Sequence, residues 1–456
     1  MSINPKLFKA YDIRGLAPQE IDEDFAYRVG QAVVRFTKAK TVVVGKDMRG
    51  TTPSLFAALA KGVMSQGADV IDVGMVTTPM FYYAVADYEL HDAGVMVTAS
   101  HNPSQYNGFK MVFGDAMPIG GETGMNDIRD LALAGPYEGT KEGTIVETSI
   151  QEAYVEKLLS LVDTKALRPL KVVVDTANGM EGIVIGDVLD RIKKVSWEGL
   201  FLDLDGNFPN HEANPLKEET LEALKERIRA TGADLGVAFD GDADRMGLVD
   251  ETGEPVRGDL ILALLAPVVM EKGPGATVLY TVNCSMVAAE EIERAGGRAV
   301  MTRVGHGLIK PHMRREKAIF AGELSSHFFF RDLANAECPD MAMLMVFELM
   351  TKTGKKLSEL VAPLRRYHHS GEINSAVGDK DAVLAALEKA YAPRASSVSK
   401  IDGIRMDFRD PAHPEDDWWW SVRASNTEPL LRLNLEAKKK DRMEKERDWL
   451  LKVIRA

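Results

Sequence analysis

The chain reads as an α/β protein: three βαβ-type domains with mainly parallel sheets, then a smaller α+β C-terminal domain. Three observations predict this. Short Val/Ile-rich stretches alternate with helical patterns of about 10–15 residues, the pattern of βαβ units. That rhythm runs three times in succession. The final segment then departs from it, with strand-like runs around a polar turn and a charged helical tail.

The first unit sets TVVVG (Thr41–Gly45) before a helical pattern over Pro53–Gly67 and the strand pattern ADVIDVG (Ala68–Gly74). It ends in AGVMVTASHNP, an apolar strand that stops at small polar residues closed by Pro103. The second opens with KVVVDTANGMEG (Lys171–Gly182) and VSWEGLFLD. A helical pattern over Pro215–Gly232 then leads to ADLGVAFDGDADR. The third runs from TVLYTVNCS (Thr277–Ser285) through MVAAEEIERAGG and RAVMTRVG to KAIFAGELSSHFFF. Each unit ends in an apolar strand followed by a polar loop, and ligands of open α/β sheets bind outside the carboxyl ends of strands. The last part contains WWWSV and LLRLNLEA around a turn, then KKKDRMEKERDWLLKVIRA. Boundaries are expected at 1–148, 149–251, 252–366 and 367–456.

At 456 residues the chain is too long for one core, so several domains are expected. A net charge of -12 argues against a broad nucleic-acid or anionic-membrane surface. Two cysteines, Cys284 and Cys338, cannot build a disulfide framework and fit a reducing compartment. With no signal-like apolar run at the start and no membrane-length apolar stretch, a cytoplasmic protein is expected.

FDGDADR carries the sharpest chemistry. Asp240, Asp242 and Asp244 alternate with Gly241 and Ala243 after an apolar strand. Carboxylates this close repel unless they bind a cation, and their oxygens suit a hard dication such as Mg²⁺. A calcium hand-loop would use Glu251 at its twelfth position, but it needs glycine where Arg245 stands and helices where the flanks read as strands. Ser100 ends a buried-looking strand beside His101, with Lys110 ten residues on. This is either turn chemistry or a nucleophile at the mouth of a sheet. GELSSHFFF brings Glu323, Ser325 and His327 to one face of a strand end, a surface suited to vicinal hydroxyls or else an ordinary turn. RASNTEP packs Arg423, Ser425, Asn426 and Thr427 into a turn able to cradle phosphate. KAYDIRG adds Tyr11 and Arg14.

TASHNP, DGDADR, GELSSH and RASNTEP, in that order and one per domain, resemble the α-D-phosphohexomutase family, in its phosphomannomutase/phosphoglucomutase branch. The resemblance covers essentially the whole chain. It implies four domains in a heart shape around a central cleft. Ser100 would be a phosphoserine, with Mg²⁺ on Asp240, Asp242, Asp244 and a phosphoserine oxygen. Glu323 and Ser325 would contact sugar hydroxyls, and the RASNTEP loop would hold the non-reacting phosphate. VGHGLIK (Val304–Lys310) matches a further family stretch and puts His306 beside the sugar.

The implied reaction interconverts mannose 1- and 6-phosphates, and glucose phosphates as well, through a hexose 1,6-bisphosphate that also serves as activator. Arg245 would balance charge on the transferring group. Lys110 and His327 are candidates for proton transfer and oxyanion support, and Arg14 and His101 for holding the phosphoserine region. The family usually carries glycine where Ser326 stands and often proline where Ala424 stands. Asn283 takes a position where some members have a sugar-contacting lysine. Asn426 favours the mannose/glucose branch over phosphoglucosamine mutase, which remains an alternative, as does a silent sugar-phosphate-binding protein. A monomer or dimer is expected, with no nucleic-acid or membrane partner.

Overall fold

The computed structural model of the chain describes residues 3–89, 91–139, 142–424 and 430–456. Four sheets follow one another along the chain. The first three share a connection pattern. In the first, the central strand Thr41–Lys46 pairs in parallel with Asp69–Met75 on one side and Ala93–Val97 on the other. Ala93–Val97 then turns back through an antiparallel pairing with Tyr106–Phe113. The second repeats the order with Leu170–Asp175 at the centre, Val195–Leu200 and Leu235–Phe239 in parallel, and Met246–Asp250 antiparallel. The third does so with Thr277–Thr281, Arg298–Thr302, Phe320–Gly322 and Phe328–Phe330.

Each sheet is therefore a parallel centre extended by an antiparallel hairpin, and the physical consequence is specific. TASHNP, DGDADR and GELSSH are the three hairpin turns, each entered from the last parallel strand. A strand buried along its whole length fixes the backbone entering each turn: all five residues of Ala93–Val97 and of Leu235–Phe239 are buried.

Helices cover the sheets as their apolar spacing demands. Glu23–Thr37 starts at Asp22, whose side chain accepts the Phe25 amide hydrogen, and buries Phe25, Val29 and Val33. Gly258–Lys272 and Pro339–Thr353 are apolar on nearly every face and run through the interior. They belong to the largest core cluster, which extends from Val43 through the second and third sheets to Trp419. Among the described residues every pairing in the fourth sheet is antiparallel, and the paired strands Trp418–Ala424 and Leu430–Ala437 flank residues 425–429. Ser425, Asn426 and Thr427 lie outside the described residues. The charged tail forms the helix Lys440–Ile454. Among the described residues, no helix is long and apolar enough to cross a membrane.

Candidate active site

A cleft of about 1250 Å³ is lined by residues that include Tyr11, Arg14, Ser100, His101, Lys110, Asp244, Arg245, His306, Glu323, Ser325, His327 and Arg423. All four parts of the chain contribute. The turns of the first and second sheets meet most closely. Ser100 sits with φ +51°, and its Oγ donates to Asp240 Oδ2 at 3.0 Å. His101 Nδ1 is 3.1 Å from the same hydroxyl. Burial, reinforced by Arg245 and Arg14, keeps the His101 imidazole well below its ordinary value and therefore neutral.

Gly241 lets these turns approach, because a Cβ there would stand 2.5 Å from the Ser100 carbonyl oxygen. Sequence reasoning missed what holds the Ser100 turn. Arg49 is 1% exposed and spends its guanidinium on four turn carbonyls: Ser100 (2.8 Å), Asn102 (2.6 Å), Pro103 (2.7 Å) and Tyr106 (3.1 Å). Its Nε donates to Asp47 at 3.1 Å. The available signal was an Asp-x-Arg immediately after the Thr41–Lys46 strand. Arg14 adds bonds to the Ala99 carbonyl at 2.8 Å and to Asn102 Oδ1 at 2.6 Å.

Asp240, Asp242 and Asp244 are buried, and one oxygen from each lies within 4.8 Å of the others. Asp240 Oδ1 accepts the Asp244 and Arg245 amides. Asp242 Oδ2 takes the Thr78 hydroxyl at 2.7 Å and the Lys110 ammonium at 2.7 Å. Thr78 is a second residue that sequence reasoning missed. Asp242 Oδ1 has no hydrogen-bond partner among the described residues, and Asp244 Oδ1 faces the His327 imidazole at 3.3 Å. Three buried carboxylates that converge, one of them with an unsatisfied oxygen, fit a divalent cation.

The charges divide unevenly. Burial and the two neighbouring carboxylates push Asp240 well up. Burial would raise Asp244 too, but Lys110, His327 and Arg245 hold it well below the usual range. Lys110, pulled down by burial, is lifted above its ordinary value by Asp242 and Asp244. It is a fixed cation, suited to charge support rather than to proton abstraction. Glu251, the residue a calcium loop would need, instead accepts from Ser358.

The third turn closes the other side. Ser326 has φ +65°, in the left-handed region that favours glycine. Glu323 is buried and accepts the Gly305 amide at 2.8 Å. His327 lies between Glu323 (Nδ1–Oε2 2.9 Å) and Asp244 (Nε2–Oδ1 3.3 Å), with Ser325 Oγ 3.0 Å from Nδ1 and Arg245 Nε 3.1 Å from Nε2. Burial and the Arg245 guanidinium oppose its charge, but Asp244 and Glu323 outweigh them and push the imidazole up to about 9. His306 packs against Tyr11 and His327, with ring centroids 5.6 and 6.3 Å away. Behind it Glu337, held down to about 2 against burial by Lys310, faces His306 Nδ1 at 3.4 Å. Tyr11 donates to the Val304 carbonyl at 3.0 Å. Asn283 lines the same cleft.

Comparison with known proteins places the whole chain in one family. Profiles described as phosphoglucomutase/phosphomannomutase alpha/beta/alpha domains I, II and III match residues 5–136, 152–253 and 257–367, and the C-terminal domain matches 372–453. The chain belongs to the phosphoglucomutase/phosphomannomutase family. A phosphomannomutase of Salmonella montevideo is 40% identical over 443 residues, covering 95% of each chain. One of Escherichia coli K12 is 40% identical over 439 residues, covering 94% of each. A crystal structure of a phosphoglucomutase/phosphomannomutase family protein from Burkholderia thailandensis superimposes with a TM-score of 0.90 at 33% identity, covering 99% of this chain and 98% of that one. As a member of the family, the chain is a phosphohexomutase, an isomerase-type phosphotransferase.

Proposed function

We propose that the protein is a phosphomannomutase that also accepts glucose phosphates, working through phospho-Ser100 and a hexose 1,6-bisphosphate. The observation that carries the reading is Ser100 Oγ at 3.0 Å from Asp240 Oδ2, at the mouth of a cleft lined with cationic groups. The preference for mannose rests on the two relatives named phosphomannomutase.

Asp240, Asp242, Asp244 and a phosphoserine oxygen would hold Mg²⁺, which supplies positive charge to the transferring phosphoryl group. The chain's own residues do the rest. The phosphorus–oxygen bond to Ser100 breaks as a bond to the sugar O1 or O6 forms; the proton of that hydroxyl passes to a side chain of the cleft, and Ser100 Oγ takes up a proton as it leaves, so none is gained or lost overall. Phosphate monoesters react very slowly unaided, so the protein's contribution is position and charge. Arg49 and Arg14 hold the turn that carries the serine. Lys110 and Arg245 keep positive charge beside the transferring group. His327, charged between two carboxylates, is a proton donor at neutral pH. Glu323 and Ser325 orient sugar hydroxyls, with Tyr11 and His306 beside the ring. Arg423, together with Ser425, Asn426 and Thr427, would hold the phosphate that is not reacting. The cleft exceeds the roughly 300–1,000 Å³ of ordinary small-molecule sites, room enough for a bisphosphate to reorient without leaving.

The test compares mannose 1-, glucose 1- and glucosamine 1-phosphates with Mg²⁺ and trace glucose 1,6-bisphosphate, for the parent and for Ser100→Ala. Mannose phosphate should turn over fastest. Ser100→Ala should remain folded, take up no phosphoryl mass from glucose 1,6-bisphosphate, and lose turnover. Near-normal turnover in Ser100→Ala would remove the serine from the mechanism. A dominant rate on glucosamine phosphate would favour phosphoglucosamine mutase.

A further inference from the structure

In the fourth sheet, the pairing of Trp418–Ala424 with Leu430–Ala437 sets Arg423 directly opposite Arg432. Like charges facing each other across an antiparallel pair are destabilising, so an anion is needed between them. Glu372 supplies one. Its Oε1 accepts from Arg432 Nη1 at 2.8 Å, and its Oε2 from Arg423 Nη2 at 3.3 Å and from Asn434 Nδ2 at 3.3 Å. Arg423 is 6% exposed, and its Nε has no partner among the described residues. Glu372, Arg423, Arg432 and Asn434 all line the large cleft. A carboxylate bridging two guanidinium groups uses the same donors that a phosphate would.

We infer that Glu372 is an internal counter-anion of this arginine pair, which an incoming phosphate must displace. It thereby sets how firmly that phosphate is held. The inference rests on the reading of Arg423 as a phosphate-holding residue and adds a role for a residue outside that set. A bisphosphate that must present first one end and then the other needs a phosphate site that lets go. A resident carboxylate lowers the net affinity of the pair and returns to the arginines as the phosphate leaves. Glu372 lies in the short link between His368–His369 and Ile373–Ala376, both paired with Leu430–Ala437, so the sheet fixes the backbone on either side of it.

The experiment titrates inorganic phosphate into the full-length protein by calorimetry at fixed ionic strength, for the parent, Glu372→Gln and Arg423→Ala. Removing a competing, partly exposed ion pair should tighten phosphate binding in Glu372→Gln roughly three- to tenfold. KM for the hexose phosphate should fall with kcat, because release slows while capture improves. Glu372→Asp keeps the charge on a shorter arm that spans the pair less well, so its phosphate affinity should fall between those of the parent and Glu372→Gln. Unchanged or weaker phosphate binding in folded Glu372→Gln overturns the inference. Parent binding that ignores Arg423→Ala overturns instead the phosphate-holding reading beneath it.

Discussion

Lys110→Met probes the charge balance at the junction of the first two sheets. The Lys110 ammonium stands 2.7 Å from Asp242 Oδ2 and also contacts Asp244, and all three side chains are buried. Deleting one partner of a buried ion pair costs about 3–5 kcal/mol, because the remaining charge is left uncompensated. Here two carboxylates lose their cation and a third, Asp240, adjoins them, so the expected cost is in the upper half of that range, about 4–5 kcal/mol. With a urea m-value of about 2–3 kcal/mol/M, the unfolding midpoint in EDTA should fall by roughly 2 M. Saturating Mg²⁺ supplies the missing charge and binds only the folded arrangement, so the loss should shrink to less than about 2 kcal/mol. The same linkage requires Mg²⁺ to bind Lys110→Met more tightly than the parent, even as turnover falls. Urea unfolding followed by tryptophan fluorescence, in EDTA and in Mg²⁺, measures both. An equal loss under the two conditions, or weaker Mg²⁺ binding, would refute the reasoning.

Two further outcomes concern pH. His327 has a folded value of about 9 against an ordinary 6.5, so its stabilising contribution is complete below pH 6.5 and is lost as pH rises through 9. In EDTA the parent should lose up to roughly 3 kcal/mol across that window, and His327→Gln should flatten the profile. A parent profile that stays level from pH 6.5 to 9 would contradict the charged imidazole. Glu181 is fully buried in the second unit, and burial followed by Asp340 raises its carboxyl well above 4.5. An acid raised in this way loses stability as pH climbs above its unfolded value. Glu181→Gln should therefore be near neutral at pH 4.5 and gain on the parent by at most about 1.4 kcal/mol per pH unit above it. Denaturant midpoints at several pH values check this, and a gap that does not widen argues for an ionised Glu181.

Much of the site was legible because its chemistry is local in sequence. Three aspartates in five positions, a serine beside a histidine at a strand end, and Glu323, Ser325 and His327 at alternate positions are set by chain connectivity alone. The strand-and-helix rhythm was equally readable, since burial imposes its period on each segment separately. Less visible were the supports. Arg49 reads as a surface arginine until the Ser100 turn folds over it, and Thr78 as an ordinary helix-start residue until its hydroxyl meets Asp242. Glu372 stands 51 residues from Arg423 and carries no motif.

The amino-acid order thus dictated which chemical groups each turn would present and that every such turn would follow a buried strand. Folding in three dimensions chose the partners: Ser100 with Asp240, 140 residues away, Lys110 with Asp242, 132 away, and Arg245 with His327, 82 away. Those pairings depend on how separate sheets pack against shared interior helices and on a glycine small enough for two turns to touch. Such distances are properties of the assembled core, where contacts between remote segments are decided together, and no local window of residues contains them.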